Sequence, residues 1–209
     1  DYDDLASLKA TVEDEKASVA ALMQQKETEL AGLTDEISDA QDDVTFYEAE
    51  IQAQEELIAE IKRLEAEKKA AGQTDNPYSG GAFTWPCPSS TRVTSDFGVR
   101  ESPMAGASTN HRGIDIGASY GSDIVAAADG TVKSATYSSA CGNYVMIDHG
   151  GGLYTVYMHA SSLCVSAGDT VSAGDVIAKV GSTGISTGNH LHFGVSLNGS
   201  YVSPWSYFK

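Results

Sequence analysis

The five histidines of this 209-residue chain all stand beyond residue 110, at His111, His149, His159, His190 and His192. In "STGNHLHFGV", residues 186–195, a single leucine separates His190 from His192. On extended backbone residues i and i+2 face the same way, so the two imidazoles share a destination while Leu191 faces the other. In "NHRGIDIG" His111 and Asp115 are four apart, and on an extended segment they too share a face. A histidine, an aspartate and one histidine of the His-x-His pair supply three nitrogen and oxygen donors. That is the count of a catalytic zinc site, which keeps its fourth position for water. Polar residues on a solvated strand face would explain each fragment alone, but not all of them together.

The acidic inventory narrows the chemistry. Past residue 76 the only glutamate is Glu101, which excludes a metallopeptidase of the His-Glu-x-x-His type, where glutamate is the base. Histidines that are not ligands are then the available bases, and an imidazole with an ordinary pKa of about 6.5 suits that work at neutral pH.

These residues lie in the glycine-rich part of the chain. Gly32 is the only glycine before residue 72, and the other 20 follow. Short apolar runs punctuated by glycine, such as "NYVMIDHG", "LYTVYMHA" and "HLHFGVSLNG", predict many strands. Gly150–Gly152 predicts a hairpin turn between two of them. Almost no helical periodicity occurs there, so the expectation is an antiparallel β sandwich or barrel.

The first third is a different polymer. Residues 1–75 carry 21 acidic and 7 basic side chains, and residues 76–209 carry 8 and 6, within a net charge of −16. From Leu30 a seam runs through Leu33, Ile37, Ala40, Val44, Tyr47, Ile51, Gln54, Ile58 and Ile61 at alternating spacings of three and four, the mark of a coiled coil. An earlier seam of Leu5, Leu8, Val12, Val19 and Leu22 is out of frame by four residues. One glycine inside a helix costs only about 1 kcal/mol, so continuity of the second seam favours one long helix over a hairpin at Gly32. The expected organisation is therefore α plus all-β: a coiled-coil helix over 1–70, a linker over 71–82, and a compact β domain over 83–209. The acidic balance disfavours nucleic acid as partner, no apolar run is long enough to cross a membrane, and "DYDDLASLKA" lacks the pattern of a signal peptide.

The blocks "TSDFGVR", "HRGIDIGASYGSDIVAAADGTV", "YVMIDHGGGLYTVYMHASS" and "VSAGDTVSAGDVIAKVGSTGISTGNHLHFGVSLNG" resemble, in order, the lysostaphin/LytM class of peptidoglycan endopeptidases, the M23 zinc metallopeptidases. The resemblance implies a zinc ion held by His111, Asp115 and His192, with His159 and His190 as catalytic histidines. It implies peptidoglycan stem peptides as substrate and an extracellular, cell-wall-facing location in a bacterium. It also implies a coiled coil that regulates or assembles by pairing with itself or with a cell-wall or division partner. Ala160 stands where the class usually has leucine, which touches packing rather than chemistry. His149 reads as structural.

Two rivals remain. One is a catalytically inactive activator or scaffold of other cell-wall hydrolases, which the five intact positions disfavour. The other is a biotinyl or lipoyl carrier, which "VSAGDTVSAGDVIAKVG" resembles in half; the matching segment "VAAADGTV" offers no lysine to modify. Cys141 precedes one predicted strand and Cys164 follows the next. A hairpin turning at Gly150–Gly152 would bring both to its open end, so a Cys141–Cys164 disulfide is expected, with Cys87 left over.

Overall fold

The computed structural model describes residues 2–72, 78, 81–99 and 110–209. Part of the expected linker, 73–77 and 79–80, lies outside the described residues. The chain opens with one helix, α1 (Tyr2–Ala70), that passes through Gly32 without a break. It is rich in Ala, Leu, Glu, Gln and Lys and holds no proline, so propensity carries it across the single glycine. It stops at Gly72, whose φ of +68° suits glycine, with Lys68 and Lys69 in its last turn beside the carbonyl end of the dipole.

Among the described residues thirteen short strands follow: β1 (Val93–Ser95), β2 (Gly98–Val99), β3 (Asn110–His111), β4 (Ile114–Gly117), β5 (Asp123–Val125), β6 (Gly130–Ser138), β7 (Gly142–Asp148), β8 (Leu153–Ala160), β9 (Ser162–Leu163), β10 (Thr170–Val171), β11 (Val176–Lys179), β12 (His190–Leu197) and β13 (Ser200–Val202). Eight form one sheet in the order β1-β4-β12-β8-β7-β6-β10, with β13 also paired to β12. A three-stranded sheet, β5-β11-β9, and a β2-β3 ladder complete the domain, and every pairing is antiparallel.

The large sheet uses its two faces differently. Ile116, Val145, Ile147, Tyr157, Leu191, Phe193 and Val195 point inward and pack with Ile124, Ile177 and Ala178 of the small sheet into the main core. The opposite face is divided along its length. At one end Met146, Tyr154, Val156 and Met158 form a second cluster with Cys141 and with Ala53, Leu57 and Ile61 of α1. Glu55 lies 3.4 Å from Arg112 and Lys68 lies 2.5 Å from Asp148, so ion pairs flank this contact. The helix also comes close to the β12–β13 turn, where a Cβ on Gly199 would stand 2.8 Å from the Lys62 side chain.

This docking revises the expected seam. Ile61, read as part of a coiled-coil stripe, is fully buried against the chain's own sheet, whereas Leu30, Leu33 and Ile37 are exposed. Ala40, Val44 and Tyr47 lie outside the described side chains.

The expected Cys141–Cys164 bridge is also corrected, because no disulfide joins any of the three cysteines. The hairpin reading assumed that β8 ran straight on to Cys164. Instead the chain leaves the large sheet after Ala160 and enters β9, where the Cys164 amide donates to Ile177 O of the small sheet. Cys141 stays under the helix, buried, while Cys164 is exposed.

Candidate active site

Beyond the helix-covered end, the same face of the large sheet carries the polar cluster. On β12 the residues Leu191, Phe193 and Val195 face the core, so alternation turns His190 and His192 outward together. Asp115 on β4 is the direct cross-strand partner of His192, and His111 on β3 reaches the same point. His111 Nε2 is 3.1 Å from His192 Nδ1, His192 Nδ1 is 2.9 Å from Asp115 Oδ1, and His111 Nε2 is 3.3 Å from Asp115 Oδ1. His111 and His192 are both buried, and Asp115 is partly so.

This set fits a metal ion. A tetrahedral zinc with ligands about 2.0–2.1 Å away places those ligands roughly 3.3 Å from one another, close to the separations found here. Its chemistry points the same way. Nδ1–H of His111 donates to the Asp96 carbonyl at 2.8 Å, which leaves the Nε2 lone pair aimed at two other acceptors. Burial would raise the Asp115 carboxyl, but the imidazoles of His111 and His192 beside it hold it well below the usual carboxylate range. Gly113 is part of the fit, because a Cβ there would stand 2.6 Å from Phe193 O and 2.7 Å from His192 Nε2.

His159 joins the group by an irregularity. Met158 faces the helix, so strict alternation would send His159 to the core. A φ of +65° at His159 turns it back, and its ring centroid lies 4.9 Å from that of His190 and 6.2 Å from that of His192. A non-glycine residue held in the left-handed region is a strained conformation of the kind that gathers at functional sites. Its Nδ1–H donates to Thr183 O at 3.0 Å, and Nδ1–H of His190 donates to Gly188 O at 2.8 Å. Each therefore keeps its Nε2 free, and that of His190 is 3.8 Å from Asp115 Oδ1. Burial, with His190 and His192 beside it, depresses His159 to about 3, so this imidazole is neutral.

Beside these residues runs a groove of about 690 Å³, bounded among others by Ser90, Arg92, Thr94, Ser119, Ile185 and Asn189. His149 is elsewhere. Its Nδ1–H donates to Asp129 O at 2.7 Å, its Nε2 lies 2.7 Å from Thr155 Oγ1, and burial lowers its pKa.

Gly113, Asp96 and Trp205 are contributors that residue patterns did not single out. The indole N–H of Trp205 donates to Asp96 Oδ1 at 2.6 Å, and Asp96 in turn orients His111. Gly113 had a signal in principle, standing between the two paired residues of "HRGID"; the link from Trp205 to Asp96 spans 109 positions and had none.

Comparison with known proteins agrees with this geometry. A family described as "Peptidase family M23" matches residues 109–204. The DD-carboxypeptidase/endopeptidase Mpg of Neisseria meningitidis is 42% identical over 56% of this chain and 27% of its own length. The murein hydrolase activator NlpD of Escherichia coli is 35% identical over 64% of this chain and 32% of its own. The chain thus spans only about a quarter to a third of the curated relatives it matches. The catalytic domain of the prophage-encoded M23 protein EnpA from Enterococcus faecalis superposes with a TM-score of 0.50 at 33% identity, covering 63% of this chain and 95% of that one. With a fold and a sequence block shared with such proteins, the chain belongs to peptidase family M23.

Proposed function

We propose that the chain is a zinc-dependent endopeptidase that hydrolyses peptide cross-links of bacterial peptidoglycan on the outer side of the cytoplasmic membrane. The observation that carries this reading is the convergence of His111 Nε2, Asp115 Oδ1 and His192 Nδ1 beside two histidines whose Nε2 atoms face an open groove.

His111, Asp115 and His192 would hold the ion. Zinc at such a site supplies Lewis acidity to the scissile carbonyl and lowers the pKa of a water to about 7. His159 and His190 are anchored through Nδ1, so their rings cannot swing away, and their Nε2 atoms do the proton work. One Nε2 accepts the proton of the attacking water and returns it to the leaving amine, and the other, once it carries a proton taken from solvent, would donate Nε2–H to the carbonyl oxygen as that gains charge. The strained backbone at His159 is the cost of bringing the second imidazole to that point.

The helix supports a regulatory or assembly role. Leu5, Leu8, Val12, Val19, Leu22, Leu30, Leu33 and Ile37 are exposed on it, a stripe that a second copy or an envelope protein would cover. The similarity to NlpD favours a second reading, an activator of other hydrolases. Incubation of the zinc-loaded chain with purified peptidoglycan, followed by mass spectrometry, separates them. Released peptide fragments that vanish in His190→Ala support the enzyme, whereas no release from any cross-link type leaves the activator.

A further inference from the structure

Among the described residues, the groove carries a cation with no carboxylate partner, in a chain of net charge −16. Elsewhere in the fold basic side chains are engaged: Arg112 with Glu55, Lys68 and Lys133 with Asp148, and Lys179 with Asp123. Arg92 lines the groove, is exposed, and among the described residues faces no carboxylate. The only other charged group of the described lining besides the histidines is Asp115, which the metal reading consumes.

The backbone fixes where this cation stands. Arg92 O accepts the Gly117 N–H at 3.0 Å, the Arg92 N–H donates to Ser90 Oγ at 3.2 Å, and that hydroxyl donates to Gly117 O at 2.6 Å. Gly117 is in turn the cross-strand partner of His190. Arg92, Gly117 and His190 therefore form one row across the sheet, and Arg92 belongs to the wall of the groove two strands from a proposed catalytic imidazole. Adjacent strands are about 4.8 Å apart, so the row places Arg92 within one or two substrate residues of the reacting bond.

We infer that Arg92 is a specificity-determining residue that pairs with a carboxylate of the substrate, on the carbon bearing the leaving nitrogen. This rests on the peptidase reading above and names the substrate class for it. A planar, permanently charged fork recognises a carboxylate through two parallel hydrogen bonds, which a lysine would not reproduce. Two substrates share that chemistry: a D-alanyl–diamino-acid cross-link, where the carboxyl group next to the leaving amine is free, and a chain-terminal D-alanyl-D-alanine. A glycine bridge lacks it, since its carboxyl groups are all tied into amides.

The test separates binding from turnover. Synthetic peptides of both carboxylate types, each paired with a carboxamide twin, are titrated into the zinc-loaded full chain and into its Arg92→Gln and Arg92→Lys variants. Hydrolysis of the same peptides is followed in parallel. Wild type should bind and cleave the carboxylate forms roughly 10–100-fold better than their amides, as expected for a charged hydrogen bond. Arg92→Gln should erase that difference, Arg92→Lys should restore it in part, and zinc content should be unchanged in both. Preference for only one of the two carboxylate peptides identifies which source the groove takes. Equal binding of acid and amide by wild type, or an undiminished preference in Arg92→Gln, overturns the inference. Discrimination in binding without any hydrolysis would instead remove the peptidase reading and leave the carboxylate subsite standing.

Discussion

One face of the large sheet holds two regions built from the same strands. On β8 Tyr154, Val156 and Met158 lie under α1, and the next residue, His159, belongs to the polar cluster. On β12 His192 is the cross-strand partner of Met158, so polar cluster and apolar patch meet along one ladder. The apolar end is closed by the chain itself, through Ala53, Leu57 and Ile61. Among the described residues nothing closes the polar end: three ligand-type atoms crowd together and two imidazoles offer lone pairs to a groove. Burial satisfies an apolar surface, whereas converging acceptors are satisfied only by a cation or a proton. The difference teaches where stability and chemistry should separate under mutation.

The largest effect is expected from breaking the polar end at a ligand. His111→Ala should leave a folded protein that retains no stoichiometric zinc and releases no fragments; metal analysis after dialysis checks the first and the peptidoglycan digest the second. Full zinc retention would show that His111 is not a ligand. Next come His159→Ala and His190→Ala, which should keep one zinc per chain yet lose hydrolysis by ~10²–10⁴-fold, the usual worth of a general acid or base. If His190→Ala lost the metal while His192→Ala kept it, the roles within the pair would be exchanged.

How much of this was legible in the sequence depends on the distance over which each feature is encoded. The shared direction of His190 and His192 follows from a period of two, and the unbroken helix across Gly32 follows from propensity, because both are set by neighbours a few residues apart. The turn that brings His159 to the cluster was not legible as geometry, since it depends on one φ angle held by the surroundings. The Cys141–Cys164 expectation failed for a related reason: periodicity does not reveal where a strand changes sheets. The seam ending at Ile61 was real as a pattern of apolar residues, but a pattern says that a stripe is to be buried and not against what.

The apolar end gives the next effect. Ile61→Ala removes a fully buried side chain between α1 and the sheet and should cost about 2–5 kcal/mol in urea unfolding. Below the unfolding transition, zinc content and turnover should match wild type, because no atom of Ile61 belongs to the polar cluster. A variant as stable as wild type would mean that the helix does not dock in solution. A variant of normal stability that had lost its zinc would deny that the two ends are separable.

The smallest effect probes the link that fixes His111 from a distance. Trp205→Phe keeps an aromatic ring against Trp85, whose centroid is 6.0 Å away, and deletes the N–H that donates to Asp96 Oδ1. The Phe97 amide still donates to that oxygen at 2.7 Å, so Asp96 loses one of two restraints, and its carbonyl holds Nδ1 of His111 less firmly. Groups behind metal ligands typically change affinity by about 10–100-fold, and a restraint one step further out belongs at the low end, roughly 10-fold. Chelator competition measures it directly. Stability without metal should change by no more than about 1 kcal/mol, the net worth of an ordinary hydrogen bond. A merely structural role for Trp205 would reverse the pattern, lowering stability and sparing zinc affinity. Asp96→Asn, which keeps an acceptor at Oδ1, should bind zinc more tightly than Asp96→Ala if the path from Trp205 to His111 runs through that side chain.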